Sequence, residues 1–194
     1  MTLIGRATLL LSTLALVAAC GEKKSDNTMA DSTAMAVDTT AMPPALTDPN
    51  IVYILDQASA SDSARGALAE TKGTNKDVKD FGRMMMGEHH GLRVAGLDLA
   101  KKLAVTQMAP AGDQSEAMAA QEMSLLESTA KGAAWDKAYI DYEVTYHQAV
   151  LETATKALGL AQNQELNDLI STAPPVLQRH LDRALELQKN MSGM

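Results

Sequence analysis

From residue 49 onward the chain has almost no β-branched or aromatic runs, and its Gly, Pro and Asn residues recur at helix-length intervals. Ala, Leu, Met, Glu, Lys and Gln fill the segments between them, which is the composition of helices and not of strands. Asp48-Pro49 opens a first helix that runs to about Lys72 and stops at Gly73. Asn75 caps a second, to about Leu103, and Ala109-Pro110-Ala111-Gly112 breaks the chain. A third runs from about Asp113 to Lys131, stopping at Gly132, and a fourth from about Trp135 to Leu158, stopping at Gly159. A last stretch starts near Asn163, is kinked at Pro174-Pro175 and continues to about Met191. Short connections between such helices predict an all-α, antiparallel up-down bundle of four to six helical segments over residues 49–192. With one Phe, one Trp and four Tyr, its core must be Leu, Ala, Val and Met.

The N-terminal stretch is of another kind. MTLIGRATLLLSTLALVAAC has one basic residue, Arg6, and an apolar run from Ala7 to Val17. That run is too short to span a bilayer and reads as a secretory signal over residues 1–19. It ends in Val17-Ala18-Ala19-Cys20, which resembles the bacterial lipobox. The resemblance implies that Cys20 is lipidated and attaches the protein to a membrane. Gly21, not Asp, follows Cys20, and by resemblance to sorting rules that implies a periplasm-facing lipoprotein of the outer membrane. Cys20 is the only cysteine, so no internal disulfide forms. Residues 20–48 are rich in Ser, Thr, Ala and Asp without an apolar stripe and read as a disordered tether. Met29, Met35 and Met42 recur within it, and thioethers suit Cu(I), but three Met on a flexible segment are little preorganised.

Removal of residues 1–19 takes away Arg6 and leaves 16 basic against 24 acidic side chains. This excess of negative charge, with no Lys/Arg patch, excludes nucleic acid as a partner. An envelope protein partner is left open.

Helical phase decides where the four histidines point. In the second helix Val78, Phe81, Met85, Leu92, Leu99 and Leu103 mark the inward stripe, and His89 falls on it. His90 is turned ~100° away, toward solvent. His147 lies in the stripe Ile140, Val144, Leu151, Ala154, Leu158, and His180 in the stripe Leu177, Leu181, Ala184. At ~1.5 Å per residue, the three inward histidines sit within roughly one or two turns of one height near mid-bundle. Asp62, Glu88 and Glu143 are the carboxylates near that level. Glu143 is four before His147 and shares its face, Glu88 reaches the rim, and the direction of Asp62 stays open.

These residues also fall into an ordered set of short motifs. Asp62 precedes Gly66-Ala67-Leu68-Ala69; Asn75, Val78, Phe81, Met85, Glu88 and His89 follow; then Trp135-Asp136, Tyr139 and His147; then Pro175, Leu177, His180 and Leu181. In that order they resemble the ferritin-like outer-membrane family of unknown function numbered 4142, over about residues 50 to 190. The resemblance implies a ferritin-like bundle in the bacterial envelope and carries over Asp62, Glu88, His89, His147 and His180. Two positions depart from the pattern: Asp62 stands where Glu is expected, and Tyr146, not an acidic residue, precedes His147.

Di-iron bundles use Glu-x-x-His on two helices. Here Met86, Val144 and Leu177 stand three before the inward histidines, so a di-iron oxidase is not expected. Two readings result. One is a mononuclear centre with His89, His147 and His180 as ligands and Asp62 or Glu143 completing the shell, for Zn, Cu, Ni or Fe. The other is a structural or protein-interaction lipoprotein whose buried His/carboxylate network fixes bundle register. Nothing points to an enzyme: no Cys nucleophile, Gly-rich phosphate loop or hydrolase motif stands in the helical domain. Met84 and Met86 read as packing, Tyr139, Tyr142 and Tyr146 as a packing face, and Arg179 and Arg183 as a solvated face.

Overall fold

A computed structural model describes residues 46–192. The signal over residues 1–19, Cys20, and the tether as far as residue 45, with its three Met, lie outside the described residues. The described chain is all-α. Six helices follow one another: α1 (Asp48–Lys72), α2 (Lys76–Lys102), α3 (Ser115–Ser128), α4 (Ala133–Ala157), α5 (Gln164–Ser171) and α6 (Ala173–Ser192). Among the described residues, no helix is long and apolar enough to cross a membrane.

Local chemistry sets the helix ends. Asn75 accepts from the Asp77 amide at 2.8 Å and caps α2. Asp136, buried at the start of α4, accepts from the Thr74 and Asn75 amides at 2.9 Å each, so the turn between α1 and α2 is fastened to α4. The carbonyls at the end of α3 are taken up by Lys72 Nζ and by Trp135 Nε1, which donates to the Leu126 carbonyl at 2.8 Å. That bond accounts for a fully buried tryptophan.

Three expectations about the helices need correction. Pro174 and Pro175 do not kink a continuous helix. The chain breaks at Thr172, and both prolines stand in the first turn of α6, where missing amides cost nothing. Leu158 is 41% exposed and leaves the α4 stripe, because the helix ends at Ala157 and Leu158 is extended at φ −57, ψ 125. In the second half of α2, Leu92, Leu99 and Leu103 are half-buried, and Gly96 and Ala100 take the buried positions.

The reason for that last shift is the close pairing of α1 and α2. The helices run antiparallel, with Ser63 Oγ on the Met86 carbonyl at 3.3 Å and Arg93 Nε on Asp56 at 2.6 Å. Small residues line the contact. A methyl group on Gly66 would collide with the Gly82 carbonyl and lie 2.9 Å from the Met86 amide nitrogen, both backbone atoms. One on Gly96 would lie 2.7 Å from a Leu55 methyl. α4 and α6 form the opposite pair, joined by Gln188 on Asp141 at 2.8 Å.

Two apolar cores result. One holds Phe81, Met85, Trp135, Tyr139, Ile140 and Leu181; the other holds Ile51, Val52, Ala100, Leu166 and Ile170. Along every long helix of the two pairs, the residues between these cores include the buried polar ones: Ser59, Asp62 and Arg65 on α1, His89 on α2, Glu143 and His147 on α4, His180 on α6.

Because backbone atoms cannot retreat, Gly66→Ala should destabilise the fold by about 1–3 kcal/mol. Gly91 lies mid-α2 with nothing within 4 Å of an added methyl. Gly91→Ala should therefore stabilise it by about 0.5–1 kcal/mol. Urea unfolding of both variants checks the pair.

Candidate metal centre

α2, α4 and α6 each deliver one histidine to the layer between the cores. His89 is 2% exposed, and His147 and His180 are fully buried. Their rings form a triangle with centroid separations of 5.8 Å (His89–His147), 5.1 Å (His89–His180) and 5.3 Å (His147–His180). One nitrogen from each lies within 4.8 Å of the others. The three inward histidines read from helical phase are thus brought together, and His90 is exposed as expected.

Each ring meets a particular group on its outer side. His147 Nδ1 donates to the Glu143 backbone carbonyl at 2.9 Å and lies 3.3 Å from Glu143 Oε2. This leaves Nε2 without a partner. His180 Nε2 lies 2.9 Å from Glu88 Oε2, and Nδ1 has no partner. His89 Nε2 is 3.3 Å from Asp62 Oδ2, off the line of a hydrogen bond, so both its nitrogens are unpartnered. Buried polar atoms are almost always hydrogen-bonded, so unpartnered nitrogens on three neighbouring rings are an unusual concentration.

Glu88 sits at the rim, 37% exposed, and also pairs with Arg179. Arg179 is exposed as a solvated face requires, but it also anchors the carboxylate that holds His180.

Asp62 and Glu143 are both fully buried, and Arg65 lies between them. Its Nε donates to Glu143 Oε1 at 2.8 Å, and its Nη2 donates to Asp62 Oδ1. The Tyr146 and Tyr142 rings cover the guanidinium, at 4.2 Å and 4.8 Å from ring centroid to Cζ. These two tyrosines stack on each other, whereas Tyr139 stacks on Trp135 in the core. Sequence reasoning missed Arg65. It is three residues after Asp62 and one before Gly66, so it shares the face of α1 that approaches α2 and α4, and that spacing is the signal that could have found it.

Electrostatics follow from burial and charge count. Desolvation and its histidine neighbours push His89 down to about 3, and desolvation likewise lowers His180. His147 goes the other way: burial lowers it, but the Glu143 contact and the Asp62 and Glu143 charges outweigh that. Burial pushes Asp62 up to about 7 against the pull of Arg65. Glu143 falls to about 2, because Arg65 and His147 together exceed the burial penalty. One guanidinium faces two carboxylates, so the ionised layer carries one surplus negative charge beside three imidazoles.

Removing one member of such a buried ion triad costs about 3–5 kcal/mol, so Arg65→Met should destabilise by that order at pH 8. Arg65 lowers both carboxyl pKa values, so its loss raises them in the folded state. Groups with raised folded pKa values gain stability as pH falls, and the deficit relative to wild type should therefore shrink between pH 8 and pH 5. Urea titrations at the two pH values check the sign.

The family profile described as a domain of unknown function (DUF4142) matches residues 32–187. No curated protein matches the chain, and no solved structure matches it.

Proposed function

We propose, for a chain that belongs to this DUF4142 family, that the bundle holds one transition-metal ion on His89, His147 and His180. The observation that supports this is the pairing on the rings: His147 and His180 each engage one nitrogen with a carbonyl or carboxylate and leave the other unpartnered, and both nitrogens of His89 are unpartnered. Metal-ligating histidines have this form, with an outer acceptor fixing tautomer and ring orientation. His147 would ligate through Nε2, His180 through Nδ1, and His89 through one of its two unpartnered nitrogens. Glu143, Glu88 and Asp62 then orient the rings and do not complete the shell. Three imidazoles suit Zn, Cu, Ni or Fe, and the surplus negative charge of the Asp62–Arg65–Glu143 triad favours a cation. A network that served only to fix register would have its nitrogens paired with one another or with neighbours. The centroid distances and orphan atoms speak for a guest ion instead.

We read the domain as a ferritin-like bundle carried by a lipoprotein, exported by residues 1–19 and anchored through lipid on Cys20 at the periplasmic face of the outer membrane. The apolar run, the small residues before Cys20 and its being the only cysteine support this reading. Cys20→Ser should move the protein from the membrane to the soluble fraction of an exporting bacterium. Unchanged membrane association would sink the anchor.

The metal reading is tested on residues 21–194 purified without added metal and titrated with Zn, Cu, Ni and Fe. One equivalent is expected, lost in His147→Ala and retained in His90→Ala. Metal competes with the protons that Asp62 and His147 take up as pH falls, so uptake should release protons and affinity should fall from pH 7.5 to 5.5. Calorimetry in buffers of different ionisation heat reads the protons. No bound metal and no thermal shift with any of the four ions would overturn the reading.

A further inference from the structure

One cavity of about 630 Å³ is lined by residues of all six helices, and His89 is part of its wall. Most of the wall is aliphatic, with Ile54, Leu55, Leu92, Val150, Ile170 and Leu177 among its residues. Met118 of α3, 63% exposed, lies on its outer margin. Volume and lining are those of a small-molecule site and not of a packing defect.

The wall also carries polar side chains, Gln57, Asp113, Gln114 and Thr153 among them, but two of its polar residues, Ser59 and His89, are buried with unpartnered atoms. Ser59 is 1% exposed, lines the cavity, and its Oγ has no hydrogen-bond partner. It stands one turn before Asp62 on α1. His89, whose two nitrogens are unpartnered, belongs to the same wall. The Tyr146 hydroxyl is already engaged with Ser61 at 3.1 Å. A buried hydroxyl without an acceptor costs stability, so Ser59 is positioned to donate to something that enters.

Geometry specifies what that is. An aliphatic wall also holds a buried hydroxyl that lacks an acceptor and a histidine of the proposed centre. An anionic oxygen head that accepts from Ser59 and sits on the metal, carried on an apolar body, fits all three. Three protein ligands also leave a metal room for one more.

We infer that the cavity takes an aliphatic monocarboxylate, with its carboxylate on the metal and on Ser59 Oγ and its chain along the apolar wall. This rests on the metal centre proposed above, and binding is therefore metal-dependent. The shared chemistry is a single negative oxygen head and an apolar body.

The test uses the zinc-loaded and metal-free protein with octanoate and acetate as probes, read by calorimetry, with zinc stoichiometry measured in every sample. Octanoate should bind the zinc form at least about tenfold more tightly than acetate, because the added methylenes leave water. It should bind the metal-free form at least about tenfold more weakly. Ser59→Ala should weaken octanoate by roughly fivefold with zinc content unchanged. Ala154→Trp fills the cavity two turns past His147 and should abolish octanoate binding while one zinc is retained. Equal binding of acetate and octanoate, equal binding to both metal forms, or full binding in Ala154→Trp would each overturn the inference. Stoichiometric zinc with no octanoate uptake overturns it and leaves the metal centre standing. Absence of zinc overturns both.

Discussion

The guanidinium of Arg65 is the interaction on which the middle of this bundle depends. Asp62 and Glu143 come from different helices, and both are removed from water. Each buried ion costs several kcal/mol in desolvation, so neither carboxylate could stay ionised at this depth alone. Arg65 joins them in one contact, and the stacked Tyr142 and Tyr146 rings cover its face where water would otherwise compete. The remaining Asp62 oxygen faces His89, and the remaining Glu143 oxygen faces His147. Two of the three imidazoles therefore lie beside carboxylates that Arg65 keeps in place. The third depends on a separate, half-exposed pair at the rim, Glu88 and Arg179.

This polar layer lies between two apolar clusters. The Trp135–Tyr139–Phe81 cluster closes one side, and the Ile51–Leu166–Ile170 cluster the other. Where the charged groups are fully buried the effective dielectric is low, and each charge contact acts more strongly than at the surface. The close approach of α1 and α2 at Gly66 and Gly82 serves the same end. Gly66 is one turn past Asp62, so the contact that brings the two backbones together also brings Asp62 to His89. A bulkier residue at that crossing would separate the pair as well as loosen the fold.

The fold and the histidine triangle were legible in the sequence because both are written as phase against apolar residues. His89, His147 and His180 interrupt Leu, Val and Met stripes at helical spacing, and the punctuation by Gly, Pro and Asn gave the helices to within a few residues. α1 could not be read in this way. Its buried face is Asn50, Asp56, Ser59, Asp62 and Arg65 mixed with Ile51, Val52, Gly66 and Ala69, so polar residues carry the helical period. A polar stripe ordinarily points to solvent. Only the arrival of Glu143 and two tyrosines from α4, about eighty positions away, turns it inward. The same limit explains Pro174 and Pro175: a kink and a helix start have the same local composition, and tertiary packing of α5 decides between them.

Arg65 also bears on how many cations the layer can hold. Asp62, Glu143 and His147 have ligand atoms within 4.8 Å of one another, as the three histidines do, and His147 belongs to both groups. Two adjacent cation positions sharing a ligand are therefore present in outline. The fixed charge of Arg65 already lies on both carboxylates of the second group, and any further cation there would meet it across a dry interior. The arginine thus does electrostatically what a second metal would do in a carboxylate-rich bundle: it balances the acids and orients them. It does so permanently, since a guanidinium does not lose its proton in proteins. On the proposed reading, a single ion on the histidines is then a consequence of Arg65 on α1 more than of any residue in the histidine group itself.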